Sequence, residues 1–251
     1  MKKIKVGIVN YLNTAPLIYG LRNSNVMNDI ELIPDFPANL ARDLINNSID
    51  IGLVPVAAIP QLKEWWLIGD YCIGAEGAVA SVCLFSEVPL KEIKKVMLDY
   101  QSRTSVALAR ILIKEYWKLD VEIENAASGF ETEINGTTAA VVIGDRALRQ
   151  RNISTYKYDL AEAWTAFTGL PFVFAAWVSN KPLPESFISS FNEANAFGVA
   201  HIAEVVKTLD NSLFNLDEYF TRYISYPLDE RKRRGLQQFL RFLDPDLTLS
   251  M

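Results

Sequence analysis

Hydroxyl and amide side chains gather in short polar turns that stand between apolar runs and helical patterns. The richest of these turns lies in VMLDYQSRTSVALARILI, residues 96–113. Val96, Met97 and Leu98 form an apolar run fit for a buried strand. From Ser105 onward, Val106, Leu108, Ala109, Ile111, Leu112 and Ile113 recur at helical spacing. Ser102 then stands at the N-cap, with Thr104 and Ser105 in the first turn. A helix start offers unpaired N–H groups and the positive end of the dipole, and nearby hydroxyls add donors. Such a turn can hold a carboxylate. Alternatively, Ser102 serves the helix alone; the choice rests on whether other polar turns face this one.

Candidates for those facing turns recur along the chain. Lys5–Val9 is a β-branched run that enters Asn10–Thr14, and Pro16 suits the first turn of the helix that follows. This turn lies at the carboxyl end of a strand, where open α/β sheets bind ligands. Asn13 carries a donor and an acceptor, so it either orients a hydroxyl or carboxylate or simply shapes the turn. Tyr11 shares the turn. Ile49–Leu53 runs into a second strand end at Pro55 and Val56. Ser81 is the lone hydroxyl in the apolar run AVASVCLF, residues 78–85, either a small buried residue or a ligand-facing one. Ala139–Ile143 opens into Gly144-Asp145-Arg146, where Asp145 either caps a helix or contacts a ligand.

The elements that must carry these turns follow in a clear order. Strand patterns at Ile4–Val9, Ile30–Ile33 and Ile49–Leu53, with an amphipathic helix at Asn39–Asn46, make one βα set. Val96–Leu98, the helix from Ser105, Val121–Glu124 and Ala139–Ile143 make a second. Tyr158–Trp164 reads as a strand end and a helix turn. Phe172–Val178 is a long apolar strand, and helical spacing returns at Phe187–Leu209, Leu213–Ile224 and Arg231–Leu243. Ala78–Phe85 and Phe172–Val178 flank the second set as two crossings between lobes. The expectation is an α/β fold of two lobes, residues 1–86 with 174–251 and residues 87–173. A cleft between them is lined by Asn13, Pro55, Ser81, Ser102–Ser105 and Gly144. A closed cleft of this kind excludes water around a small ligand.

Bulk properties narrow the function. Half of the 251 residues are hydrophobic, enough for a substantial core. A net charge of -5 argues against a nucleic-acid surface, and Arg231-Lys232-Arg233-Arg234 reads as a solvated helix face. With one histidine, His201, and two cysteines, Cys72 and Cys83, in apolar runs, neither a transition-metal site nor a disulfide is expected. The basic start MKKIKVGIVNYL goes directly into a strand, without an apolar signal region, and no apolar run approaches a membrane span. A cytosolic location is expected.

The segments NYLNTAPL, GLVPVAAI, AVASVCLF, LDYQSRTSVAL, IGDRAL and WTAFTGLPFVFAAWV, in this order and spacing, resemble the chorismate dehydratases of the futalosine route to menaquinone. The resemblance covers roughly residues 4–225. It implies a type II periplasmic-binding-protein fold and a cytosolic enzyme that removes water from chorismate to give 3-[(1-carboxyvinyl)oxy]benzoate. By this resemblance Asn13 and Ser81 match the polar residues at the reacting part of the substrate, and Ser102, Thr104 and Ser105 match the carboxylate-holding turn. Tyr11, Pro55, Val56, Gly144 and Asp145 complete the expected substrate-binding set. No metal or organic cofactor is expected, and the partner is a small dicarboxylate rather than a nucleic acid or a membrane.

The matched motifs hold no histidine and no lysine to take the substrate proton. Asp99 and Asp145 are the nearest carboxylates; the other candidate base is the enolpyruvyl carboxylate of the substrate itself. Two other functions fit the same elements: a carboxylate-binding protein without catalysis, and the sister enzyme that makes dihydroxynaphthoate from a cyclic futalosine intermediate.

Overall fold

The computed structural model describes residues 3–9, 11–210 and 214–247. Asn10, in the first polar turn, and Leu213, at the start of an expected helix, lie outside the described residues. The chain opens with β1 (Ile4–Ile8), α1 (Ala15–Arg22), β2 (Ile30–Pro34), α2 (Pro37–Ile45), β3 (Ile51–Pro55) and β4 (Trp66–Ala75). It continues with β5 (Val82–Ser86), β6 (Lys95–Leu98), α3 (Arg103–Ile111), β7 (Glu122–Asn125), β8 (Thr138–Ile143), α4 (Gly144–Gln150), β9 (Tyr156–Asp159) and α5 (Leu160–Thr168). It closes with β10 (Phe172–Ser179), α6 (Glu185–Ala200), α7 (Ile202–Lys207), α8 (Leu216–Glu218), β11 (Ser225–Pro227) and α9 (Glu230–Leu243).

These strands form two sheets, ordered β11-β4-β10-β3-β1-β2 and β7-β6-β8-β5-β9. In the first, β1 is parallel to β2 and β3; in the second, β6 is parallel to β7 and β8. The strands that arrive from the other lobe run the opposite way. β10 is antiparallel to β3 and β4, with Ala175 beside Pro55. β5 is antiparallel to β8 and β9, with Val82 beside Ile143. Each arriving strand therefore starts at the carboxyl end of the parallel strands beside it. Both crossings and both sets of strand-end turns meet at one place, which is the cleft.

One strand differs from the expected division. Val82–Ser86, counted with the first lobe when the boundary is set at residue 86, pairs entirely in the second sheet. The chain crosses in the short stretch between Ala75 and Val82 and returns through α5. Every residue of β5 is buried, so its apolar run carries no sign of which sheet receives it. The expected helix at residues 187–209 is two helices, α6 and α7, which break at His201.

Packing fixes the turns that matter for the site. α1 meets α6 backbone to backbone: a Cβ on Gly20 would stand 2.0 Å from the carbonyl oxygen of Ala194, and one on Gly198 1.9 Å from that of Pro16. This contact seats the start of α1, directly after Asn13 and Thr14. Lys232 corrects the reading of its basic cluster as a solvated face. It is 1% exposed, and its Nζ pairs with Glu76 in the first crossing. Arg231 also faces Glu76, and Arg233 bonds Asp70 at 3.1 Å. Lys232 lies four residues before Leu236 on the apolar face of α9, and Glu76 neutralises it there.

Candidate active site

A cavity of about 370 Å³ opens between the two sheets at their crossings. Tyr11, Asn13, Pro55, Ser81, Ser102, Ser105, Gly144 and Asp145 all line it. Residues drawn from five separate stretches of sequence thus converge, as the strand ends require. Val56 and Thr104 do not line the cavity. Val56 is 0% exposed and packs in the core. Thr104 is 1% exposed, and its Oγ1 accepts the N–H of Ala57 at 3.2 Å. Its position in the first turn of α3 points it at the neighbouring lobe, so it ties the lobes together.

The helix start at Ser102 keeps its cap. Ser102 Oγ accepts the N–H of Ser105 at 3.1 Å and lies 2.9 Å from Ser105 Oγ. Both hydroxyls border the cavity, so the cap and the ligand-facing surface are made of the same groups. Gly144 has φ +61°, a conformation open to glycine, and its N–H bonds the carbonyl of Ser81 at 2.8 Å. Asp145 does not cap α4: Ile143 holds the N-cap position, with no side-chain bond there. Asp145 is exposed to the cavity instead.

The surroundings of Ser81 and Asn13 are built by residues far apart in the chain. Ser81, 2% exposed, accepts the hydroxyl of Tyr219 at 2.9 Å. Burial pushes the Tyr219 phenol well above its ordinary value, so it stays protonated and donates. The backbone of Asn13 is held by the hydroxyl of Tyr226, which donates to its carbonyl at 3.0 Å. Thr14 steadies the same turn by donating to the carbonyls of Val9 and Tyr11 at 2.6 and 2.7 Å. The side-chain amide of Asn13 makes no hydrogen bond with the described residues, and Asn13 lines the cavity.

Charge around the cavity is divided between bound and unbound groups. Asp99 accepts two bonds from Arg146, at 3.0 and 2.8 Å, and the N–H of Gln101 at 2.8 Å. Its side chain is fully enclosed, and burial raises its pKa further than Gln101 and Arg146 lower it. Arg146 also bonds Glu131 at 2.8 Å and lies over the rings of Tyr100 and Phe130. Arg149 differs. It lines the cavity, is exposed, and its side chain has no hydrogen bond or ion pair among the described residues. Its spacing to Asp145 was the available signal, since residues four apart share one helical face. Tyr219 and Tyr226 had no local signal. Among the described residues no group of three His, Cys, Asp or Glu is placed to hold a metal ion. No helix of the described residues is long and apolar enough to cross a membrane.

The arrangement supplies neutral polar groups, a helix start and the cation Arg149 around one cavity. Such a cavity suits a small carboxylate with a polar reacting end. The same architecture recurs in known structures. A protein of Archaeoglobus fulgidus superposes with a TM-score of 0.74 over 97% of both chains, at 14% identity. The periplasmic aliphatic sulphonate binding protein SsuA of Escherichia coli superposes with a TM-score of 0.63, at 14% identity, over 98% of this chain and 88% of that one. The fold is thus that of the periplasmic binding proteins. Sequence brings nearer relatives. A chorismate dehydratase of Thermus thermophilus is 29% identical over 97% of this chain and 96% of its own length. A second, of Campylobacter jejuni, is 26% identical over 94% and 95% respectively. The profile of the menaquinone biosynthesis family matches residues 4–244, a span that takes in both sheets and every turn of the cavity, and the chain belongs to that family.

Proposed function

We propose that this protein is a chorismate dehydratase, forming 3-[(1-carboxyvinyl)oxy]benzoate and water. The observation that carries the reading is the convergence of polar side chains on one cavity. Asn13, Ser81, the Ser102–Ser105 helix start and Arg149 all line it. Chorismate has two carboxylates and a leaving hydroxyl, which call for such a set. The names of the two relatives, whose full lengths this chain matches closely, favour the same reaction. A cytoplasmic location accompanies this reading.

In the mechanism we favour, the helix start and Arg149 hold one carboxylate. Asn13 orients the enolpyruvyl carboxylate toward the proton on C3. That carboxylate takes the proton, the electrons of the C3–H bond form the new ring double bond, and the C4–O bond breaks. Ser81 donates to the departing oxygen, which leaves as water once the transferred proton reaches it. The ring becomes aromatic, so the enzyme mainly has to orient its substrate. Orientation of this kind can supply on the order of 7–11 kcal/mol. Asp99 suits the role of base poorly, because Arg146 and Gln101 occupy its oxygens and it does not line the cavity.

The test is incubation of the purified protein with chorismate alone, followed by chromatography with mass detection. Loss of one water to an enolpyruvyl-substituted benzoate is expected. Unchanged chorismate with a folded protein that is stabilised by chorismate would favour a binding protein, like the sulphonate binder of the same fold.

A further inference from the structure

Ser81 reaches the cavity because the backbone before it bends in a way that alanine resists. Ala80 has φ +62°. The N–H of Ser81 closes onto the carbonyl of Val79 at 2.8 Å, so these three residues make a γ-turn with its centre in the left-handed half of conformational space. Residues with a Cβ hold such a conformation only where their surroundings over-determine it.

Asp159 supplies those surroundings. Its carboxylate accepts the N–H of Val79 at 3.1 and 3.0 Å and that of Ala80 at 2.8 Å. The same carboxylate caps α5 by accepting the N–H groups of Ala161 at 3.0 Å and Glu162 at 3.2 Å. One side chain, 8% exposed, therefore ties the outgoing crossing to the returning one. Arg151 holds the far side of the same turn, donating to the carbonyl of Ala80 at 3.3 Å. No neutral side chain can copy this. Asparagine has one acceptor oxygen and would set its NH2 against either the α5 cap or the Val79 and Ala80 N–H groups.

We propose that Asp159 is a positioning residue of the reaction: by gripping the N–H groups of Val79 and Ala80 it imposes the left-handed turn that aims Ser81 into the cavity. The proposal rests on the reading of Ser81 as donor to the leaving hydroxyl, and it adds a residue outside the cavity on which that donor depends.

The experiment compares kcat and KM for chorismate in the wild type, Ser81→Ala, Asp159→Asn and Asp159→Asn with Ala80→Gly. Asp159→Asn is expected to lower kcat by about 100-fold, the scale of a misplaced group, while KM stays within about threefold. Glycine takes positive φ without a Cβ clash, so adding Ala80→Gly should return about tenfold of the lost kcat. Wild-type kcat per folded molecule in Asp159→Asn, with only a lower melting temperature, would assign Asp159 to stability and overturn the proposal. So would an absence of rescue by Ala80→Gly. Full kcat in Ser81→Ala would instead strike the reading of Ser81 itself, whatever Asp159 does. Should Asp159→Asn fail to fold, Asp159→Ser keeps a capping oxygen for α5 without reaching Val79, and it carries the same expectation. In the wild type, the amide protons of Val79 and Ala80 should exchange as slowly as those of Ala161 and Glu162; fast exchange of the first pair alone would also overturn the proposal.

Discussion

The hydroxyl of Tyr219 donates to Oγ of Ser81 at 2.9 Å, joining residues 138 apart in sequence. The direction of that bond matters for the chemistry. Burial keeps the phenol protonated, so Tyr219 fills one lone pair of Ser81 and cannot take its proton. The carbonyl of Val79 lies 3.5 Å from Ser81 Oγ, too long for a firm bond. The proton of Ser81 is thus left for the cavity, where a departing hydroxyl needs a donor. Tyr219→Phe removes only the oxygen, and it should lower kcat by roughly 5–30-fold, the equivalent of about 1–2 kcal/mol for a buried hydrogen bond. Steady-state kinetics beside a thermal melt would show it; a variant with full kcat would remove Tyr219 from the donor chain.

At the helix start of α3 and at Arg149 the expected signature is in KM. Ser102→Ala removes the acceptor of the Ser105 N–H and should destabilise the fold by about 1 kcal/mol. It should also raise KM for chorismate several-fold, because the hydroxyls of the helix start border the ligand. Arg149→Gln leaves α3 untouched and removes one exposed cation, so its effect on KM should shrink as salt is raised from low ionic strength to about 0.5 M. Equal KM values for Arg149→Gln and the wild type at low salt would exclude a carboxylate contact at this residue.

Much of the site was legible in the sequence, and the reason is local. The helix start at Ser102 shows itself in an apolar period and an N-cap that lie within one turn of each other, and α3 begins one residue after Ser102. The turn at Asn13 is marked by Pro16, which falls in the first turn of α1. Ser81 is different. Its side chain is legible only as a hydroxyl in an apolar run, while the groups that give it a direction come from Asp159 and Tyr219, on other elements of the fold. Thr104 shows the opposite failure. A hydroxyl in a helix's first turn looks like its neighbours in sequence, yet helical rotation points it at Ala57 rather than at the cavity. Lys232 reads as surface because it sits in a run of cations, and only the tertiary partner Glu76 makes its burial tolerable.

The two candidate carboxylates separate by environment. Asp145→Asn should reduce kcat by less than about tenfold if the carboxylate of the substrate is the base. A loss of about 10²–10⁴-fold, with chorismate affinity retained, would name Asp145 as the general base. Asp99→Asn should act on the fold instead. It breaks the buried pair with Arg146, which keeps Glu131 as a partner. Destabilisation of about 3 kcal/mol, the low end for breaking a buried ion pair, is expected in urea unfolding. A collapse of kcat in Asp99→Asn at unchanged stability would contradict this assignment.

The alkaline limb of stability offers a check on the core. Cys72 is 0% exposed, between strands of the first sheet, and burial pushes its thiol from 9.0 to about 12. The sign follows from proton binding in the two states. Below pH 9 the thiol is protonated both folded and unfolded, so it puts no pH dependence into stability. As pH rises through 9.0 the unfolded chain releases this proton while the folded chain keeps it, up to about 12. Stability must then fall across that window, by about 1.4 kcal/mol per pH unit for one fully coupled proton. The buried phenols of Tyr219 and Tyr226 are shifted in the same direction and add to the slope. Cys72→Ala should therefore unfold less steeply with pH between 9.0 and about 12, even though it is less stable than the wild type at neutral pH. Urea unfolding at a series of alkaline pH values measures both slopes. Equal slopes would mean that the Cys72 thiol ionises in the folded protein, and the dry environment assigned to it on β4, beside β11, would have to be abandoned.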